Sequence, residues 1–242
     1  MNLKKIIAKV IWPHTYSNEE YIRWLRNHGA KIGENTRFIA PKECKVDINR
    51  AEYISIGDNC CLSYVTILAH DYSWYILKDA YQEILPDPGG RVSIGNNCFI
   101  GYNAIILKDT DIGDNCIIAA GAVVKGHVPS NSVWGGIPAR QICTLDELYR
   151  KKKKNEIFDA FYRYKVESEY KNNVEIKDMG MFGFLFLERT EENYNHYIRD
   201  IEFNGRVNDE SVYDLFFNSK PSFANYNAFK EEYNRFIRNE IS

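Results

Sequence analysis

Five histidines (His14, His28, His70, His127 and His196) and six cysteines are the side chains of this 242-residue chain best suited to proton transfer or metal binding. His70 has the most suggestive setting. It stands in VTILAHDYSW, Val65 to Trp74, where an aliphatic run gives way to polar and aromatic residues. A neutral imidazole, with an ordinary pKa of about 6.5, can take a proton from a hydroxyl near neutral pH, help typically worth ~10²–10⁴-fold. The competing reading is a surface histidine at the start of a loop. Asp71 adjoins His70, but consecutive residues of an extended chain point to opposite faces, which argues against Asp71 orienting the ring. Its carboxylate is better placed to meet hydroxyl groups of an incoming molecule. Cys60, Cys98 and Cys116 recur after Gly-Asp-Asn or Gly-Asn-Asn, a recurrence that could suggest metal ligands. The same slot also holds Ala104, Thr110 and Ala122, so a small buried hydrophobe is the better reading and no metal is expected. His127, in KGHVP, is expected to face solvent.

The elements that must position His70 follow from an internal repeat. Written in sixes from Ile94, the chain reads IGNNCF, IGYNAI, ILKDTD, IGDNCI, IAAGAV, VKGHVP. Position one is Ile94, Ile100, Ile106, Ile112, Ile118 and Val124; position five is small or medium throughout. Upstream, Ile32, Phe38, Cys44, Ile56 and Leu62 fall on the same grid, with Arg50 as a misfit. A period of six is not helical, since helix faces recur at 3.6. It predicts a mainly β fold of short parallel strands joined by tight corners, each coil taking about 18 residues and resting on the one below. The Gly-Asp-Asn and Gly-Asn-Asn triplets at 57–59, 95–97 and 113–115 suit corners, where positive φ is cheap for Gly and tolerable for Asn. The open coil ends need caps.

Residues 1–30 are read as an N-terminal helical cap, with Ser17 as N-cap, Glu20 three residues on and Gly29 as the stop. Tyr21, Trp24, Leu25 and His28 share its apolar face. Residues 31–144 are read as the coil, interrupted by an excursion over about 71–91 that is rich in aromatics and ends in PDPGG. Residues 145–242 are read as a mainly helical extension, with helices over 145–170, 191–201 and 223–237. Its RKKKK run, Arg150 to Lys154, reads as a solvated helix face, with contact to an anionic lipid-linked acceptor as the lesser alternative.

On ISIGDNC (Ile54 to Cys60), VTILAHDYSW, SIGNNCFIG (Ser93 to Gly101) and GAVVKGHVPSNSVWGGIPAR (Gly121 to Arg140), the sequence resembles the hexapeptide-repeat acyltransferases. Within them it is similar to the sugar and xenobiotic O-acetyltransferases. The match covers about Ile32 to Ile142, although LSYVTIL, Leu62 to Leu68, is one residue shorter than the family's spacing. The resemblance implies a left-handed parallel β-helix, acetyl-CoA as acyl donor, and a homotrimer whose active sites lie between neighbouring subunits. It implies that His70 is the general base and that the excursion folds over the active site. Gly101, Tyr102, Ala119 and Ala120 match positions along the pantetheine arm, and Lys125 and Arg140 match basic positions near the CoA phosphates. His70 and the Lys125/Arg140 region are then expected from different or adjacent subunits. Asp71, Tyr72, Trp74 and Phe99 fall on the acceptor side. Phe99 stands where many sugar-acetylating relatives carry Trp, keeping an aromatic wall without the indole N–H. Carbonic anhydrases on the same coil need three histidines for zinc, whereas the repeat region holds only His70 and His127.

Acetyl transfer to a sugar or glycan-precursor hydroxyl is therefore the favoured function. The alternatives are transfer to an amine, amino acid or xenobiotic, or a non-catalytic scaffold. A formal charge of −2 gives no electrostatic case for a nucleic-acid partner. The longest apolar runs fall far short of the roughly 18–20 residues that span a bilayer, and MNLKKIIAKVIWPH lacks a cleavage site. Six cysteines without export signals suggest reduced thiols and a cytoplasmic location.

Overall fold

The computed structural model describes residues 11, 13–198 and 210–241. The N-terminal lysines and the end of the helix expected over 191–201 lie outside the described residues. Two compact units divide the chain, residues 1–150 and 151–242.

The first unit is a left-handed parallel β-helix with three faces. One face stacks β1 (Lys31–Ile32), β4 (Ile54–Ile56), β7 (Val92–Ile94), and the second halves of β9 (Ile105–Ile112) and β11 (Val123–Val128). The next stacks β2 (Arg37–Ile39), β5 (Cys61–Ser63), β8 (Phe99–Ile100), β10 (Ile117–Ile118) and β12 (Ser132–Gly136). The third stacks β3 (Lys45–Val46), β6 (Thr66–Ile67) and the first halves of β9 and β11. Register places the large aliphatics in columns: Ile32, Ile56, Ile94, Ile112 and Val128 on one face, and Val46, Ile67, Ile106 and Val124 on another. All are buried, and each such side chain contributes roughly 1.5–3 kcal/mol relative to exposure.

Three details depart from the six-residue grid. Cys44 does not sit in a large-residue column. Residues Pro41–Glu43 form a 3-10 turn that adds chain, so Val46 pairs with Ile67 and Cys44 occupies the small slot beside Val65. LSYVTIL is indeed one residue short: Leu62 to Ile67 spans the same corner as Ile100 to Ile106. The chain compensates with Tyr64 at φ 52°. At the Gly-x-Asn corners, positive φ falls on Asn35, Asn59, Asn97 and Asn115, not on the glycines, and Asn131 adopts it at the equivalent Pro-Ser-Asn corner. Gly57, Gly95 and Gly113 are needed because coils approach closely there. A Cβ on Gly95 would lie 2.5 Å from Asp114 Oδ1 and 2.7 Å from the Gly113 carbonyl carbon. The asparagines also bond along the stack, Asn97 Nδ2 donating to Asn115 Oδ1 at 2.8 Å and Asn115 Nδ2 to Asn131 Oδ1 at 3.0 Å. Cys60, Cys98 and Cys116 form a buried column, each thiol donating to a main-chain carbonyl of the next coil.

A helix covers the N-terminal coil end, and at the C-terminal end one face gains an antiparallel partner strand. The helix Asn18–Asn27 begins where Ser17 Oγ accepts the Glu20 N–H at 3.3 Å, and it buries Tyr21, Ile22 and Leu25. Trp24 is half-buried and His28 is exposed, so Ile22 replaces His28 on the packing face. Polar side chains of this helix satisfy the open strand edge. Asn18 Oδ1 accepts from Phe38 N–H at 2.8 Å, and Arg26 Nη2 donates to Ile32 O at 2.6 Å. At the other end, β13 (Ala139–Thr144) folds back antiparallel on β12.

The second unit is helical, so "mainly β" describes the coil and not the whole chain. The helix Leu145–Tyr170 spans the boundary in sequence. A 3-10 segment Ile176–Leu185, a π-helical turn Tyr194–Ile198, and helices Glu210–Asn218 and Tyr226–Ile241 follow. Their core is aromatic, centred on Phe161, Phe186, Phe216 and Phe229. No described helix is long and apolar enough to cross a membrane.

Candidate active site

The coil delivers His70 to a strand end. After β6, Leu68 N–H donates to Ile106 O at 2.9 Å and Ala69 is fully buried. Ala69 O then accepts Gly90 N–H at 2.9 Å, which pins the neck where the excursion leaves and returns. Gly89 has φ +78°, and a Cβ there would lie 2.8 Å from the Tyr53 ring, so PDPGG supplies glycine where the neck is tightest. The excursion itself contains a helix, Trp74–Tyr81.

The His70 side chain is 21% exposed and pairs through Nδ1 with Asp47 Oδ2; the Asp47 side chain is 2% exposed. Asp47 directly follows β3 on the coil below. Its carboxylate also accepts from Ala69 N–H at 3.1 Å and Asn49 N–H at 3.2 Å. An ionised carboxylate only accepts, so a neutral His70 keeps its proton on Nδ1 and presents Nε2 as an open lone pair. That is the tautomer a general base requires. The Tyr72 ring meets the imidazole edge-on, centroids 4.5 Å apart.

The sequence reading missed Asp47. The signal was present but displaced: with Cys44 placed in the large-residue column, Asp47 had no fixed position relative to the coil above. Once Val46 is aligned with Ile67, Asp47 falls under Leu68, one coil below the histidine strand. Asp71 does not orient His70. Its Oδ1 accepts Ser73 N–H at 2.6 Å, a bond that holds its carboxyl below the usual carboxylate range.

His70 opens into a groove of about 340 Å³ lined by Leu68, Tyr72, Leu107, Lys108 and Lys125, with Asp71 at its edge. Lys108 forms an ion pair with Asp87 on the returning limb of the excursion, and Asp87 Oδ2 accepts Asp71 N–H at 2.7 Å. The ammonium holds the Asp87 carboxyl below its ordinary pKa, and the carboxylate raises that of Lys108. No carboxylate among the described residues pairs with Lys125.

The structure thus brings His70, Asp71, Tyr72 and Lys125 together within one chain, so the His70–Lys125 juxtaposition needs no second subunit. The other sequence-derived positions lie elsewhere. Trp74 opens the excursion helix, half-buried, its ring against Tyr75. Phe99 is 43% exposed on the second face. Gly101, Tyr102, Ala119 and Ala120 form the corner between the second and third faces, where Tyr102 packs on Tyr64 with centroids 4.5 Å apart. The amides of Gly101 and Ala119 already donate to neighbouring coils at 2.8 Å, so this strip offers mainly methyl and α-carbon surface. Arg140 is exposed on β13, its guanidinium bonded to Ala139 O at 2.8 Å. Among the described residues no three His, Cys, Asp or Glu side chains converge as a metal site.

Comparison with known proteins agrees with this architecture. Residues 91–126 match the family model "Bacterial transferase hexapeptide (six repeats)". YvoF of Bacillus subtilis (strain 168) is 36% identical over 129 residues, 52% of this chain and 66% of its own length. Protein CapG of Staphylococcus aureus is 32% identical over 169 residues, 69% of this chain and 94% of its own. Galactoside O-acetyltransferase of Escherichia coli (strain K12) is 30% identical over 118 residues, 48% of this chain and 52% of its own. The chain therefore spans nearly all of CapG but only about half of the galactoside enzyme.

Proposed function

The chain belongs to the bacterial transferase hexapeptide family, and on that premise we propose that it transfers an acetyl group from acetyl-CoA to a hydroxyl of a sugar or glycan precursor, with His70 as general base. The observation that carries this reading is the His70–Asp47 pair at the mouth of the groove. Nε2 of His70 takes the proton as the hydroxyl oxygen adds to the thioester carbonyl. The imidazolium then hands that proton to the departing sulfur as the C–S bond breaks, leaving an acetyl ester, free thiol and neutral histidine. A thiol, with a pKa of roughly 8.5, leaves readily enough that no second acid is required.

The residues fit the donor in two respects. Lys125 is a cation without a carboxylate partner among the described residues, suited to a phosphate. The strip Gly101–Ala119–Ala120 has no side chain larger than a methyl, leaving room for a narrow pantetheine arm against the coil. Strip and groove occupy different corners, so a site using both needs a second copy. A homotrimer with sites between neighbours is part of the proposal, with Arg140 as a further phosphate contact. On the acceptor side, Tyr72, Trp74 and Phe99 offer aromatic faces for a sugar ring, and the exposed Asp71 carboxylate offers acceptor lone pairs to a hydroxyl. The sugar reading also draws on the galactoside named in its relative.

The test is turnover of His70→Ala, followed as thiol release with acetyl-CoA and a panel of glycoside, amine and amino-acid acceptors. Turnover should fall at least about 100-fold while acetyl-CoA still binds. Full activity in that variant would remove His70 from the mechanism, and preference for an amine would remove the sugar acceptor. Light scattering on the same preparations should show a trimer; a stable 28.2 kDa monomer would contradict the shared site.

A further inference from the structure

The helical unit contains a cavity lined by none of the residues assigned above to acetyl transfer. Its volume is about 370 Å³, within the ~300–1,000 Å³ of small-molecule sites and enough for one or two sugar rings. Three separate segments form its walls: the stretch 173–177, the turn Tyr194–Ile198 and the helix Tyr226–Ile241. We propose that this cavity binds a saccharide carrying an anionic group, as a second site distinct from the His70 groove.

The lining combines cations with aromatic rings. Lys177 and Lys230 supply the positive side, His196 adds an imidazole ring, and Glu175 is the one carboxylate among the described lining residues. Lys177 holds Glu175 at 2.6 Å. That leaves Lys230, whose Nζ stands 4.9 Å over the Tyr226 ring and has no carboxylate partner among the described residues. The Lys230 residue is half-buried, and an ammonium whose contact among the described residues is a ring is a ready counter-ion for a carboxylate or phosphate.

The aromatic wall is rigid. Tyr226 Oη donates to Val174 O at 2.8 Å, and the ring packs on Phe186 and Phe229, centroids 4.8 and 6.0 Å away. Tyr197 and His196 line the cavity from a separate π-helical turn, a distortion frequent at functional sites. Fixed rings suit the C–H faces of a pyranose, which need apolar contact without rearrangement. Neither feature alone specifies the ligand. A bare anion would not use the two tyrosines, and a neutral sugar would leave the ammonium without a counter-ion.

The inference does not depend on the acetyl-transfer reading, and its test leaves that reading untouched. Binding to the full chain is measured by calorimetry with four probes: trigalacturonate, glucose 1-phosphate, neutral maltotriose and citrate. One of the two anionic saccharides should bind saturably and at least about 10-fold more tightly than maltotriose or citrate. Lys230→Gln, a partly exposed and conservative change, should weaken that binding at least about 10-fold. Lys125→Gln, in the catalytic groove, should leave it unchanged. Absence of saturable binding overturns the proposal. Equal binding of citrate or maltotriose does so too, as does loss in Lys125→Gln with retention in Lys230→Gln.

Discussion

Replacing Asp47 with asparagine isolates orientation of the base from its chemistry. The carboxylate faces three donors: Asn49 N–H, Ala69 N–H and Nδ1 of His70. Asparagine has nearly the same shape, but Asn49 N–H bonds Oδ1 whereas Ala69 N–H and His70 Nδ1 share Oδ2, so an asparagine that keeps its oxygen on Asn49 leaves Ala69 N–H without an acceptor, at ~1–3 kcal/mol. Its NH₂ group then faces His70 Nδ1 and favours the tautomer protonated on Nε2, which has no lone pair for a hydroxyl proton. The same carboxylate-to-amide change in the serine-protease triad lowers kcat by ~10⁴, with the wrong tautomer as the cause. For Asp47→Asn we expect kcat to fall by about 10²–10⁴-fold with KM for both substrates within about threefold, because Asp47 touches neither. Alanine acts differently. It leaves both amides without an acceptor, at ~1–3 kcal/mol each, and so lowers thermal stability further than asparagine does. The assay is initial-rate thiol release across acceptor concentration, paired with thermal denaturation of each variant. An Asp47→Asn enzyme with parental kcat would refute the tautomer argument. A normal kcat with raised KM would make Asp47 a wall of the site and not the support of its base.

Two further predictions concern the scaffold. Gly95→Ala should destabilise by more than ~2 kcal/mol, because its Cβ meets backbone that cannot move aside, whereas Gly121→Ala, at φ +68° with open space around it, should cost only ~1 kcal/mol; denaturant titration distinguishes them, and equal effects would refute the close-approach account. The Asp87–Lys108 tie should loosen in acid. Asp87 is depressed in the folded state, so its contribution is complete above the ordinary carboxylate value near ~3.9 and is lost as pH falls through the lower folded value. Amide exchange at Asp71, whose N–H bonds Asp87, should accelerate there, and Asp87→Asn should reproduce the effect at pH 7; unchanged exchange in that variant would sever the link.

Much of the coil is legible in the sequence because a stacked fold repeats its constraints. Each rung meets the same neighbours, so Ile94, Ile112 and Val128 answer one requirement. Legibility fails where a rung is irregular. The turn at Pro41–Glu43 shifts Cys44 out of the large-residue column, and counting sixes cannot see an insertion whose total is absorbed before Ile56. The corner glycines illustrate another limit. Their positions are plain in the sequence, but whether backbone torsion or steric approach selects them depends on the coil above. In the helical unit no period carries over from one element to the next. The 3-10 segment Ile176–Leu185 and the helix Glu210–Asn218 therefore had no sequence reading, and the helix expected from 223 begins at Tyr226.

From the residues alone come the repeat, the parallel coil, its N-terminal cap at Ser17 and the place where the chain leaves the coil beside His70. These rest on local chemistry and periodicity, which a linear chain records directly. Only the folded chain decides that Asp47 holds the His70 ring, that Lys108 is tied to Asp87, and that Lys230 and Tyr226 share a cavity wall. Those contacts join residues from different coils or separate segments, and their geometry depends on register and packing, which no stretch of sequence encodes by itself.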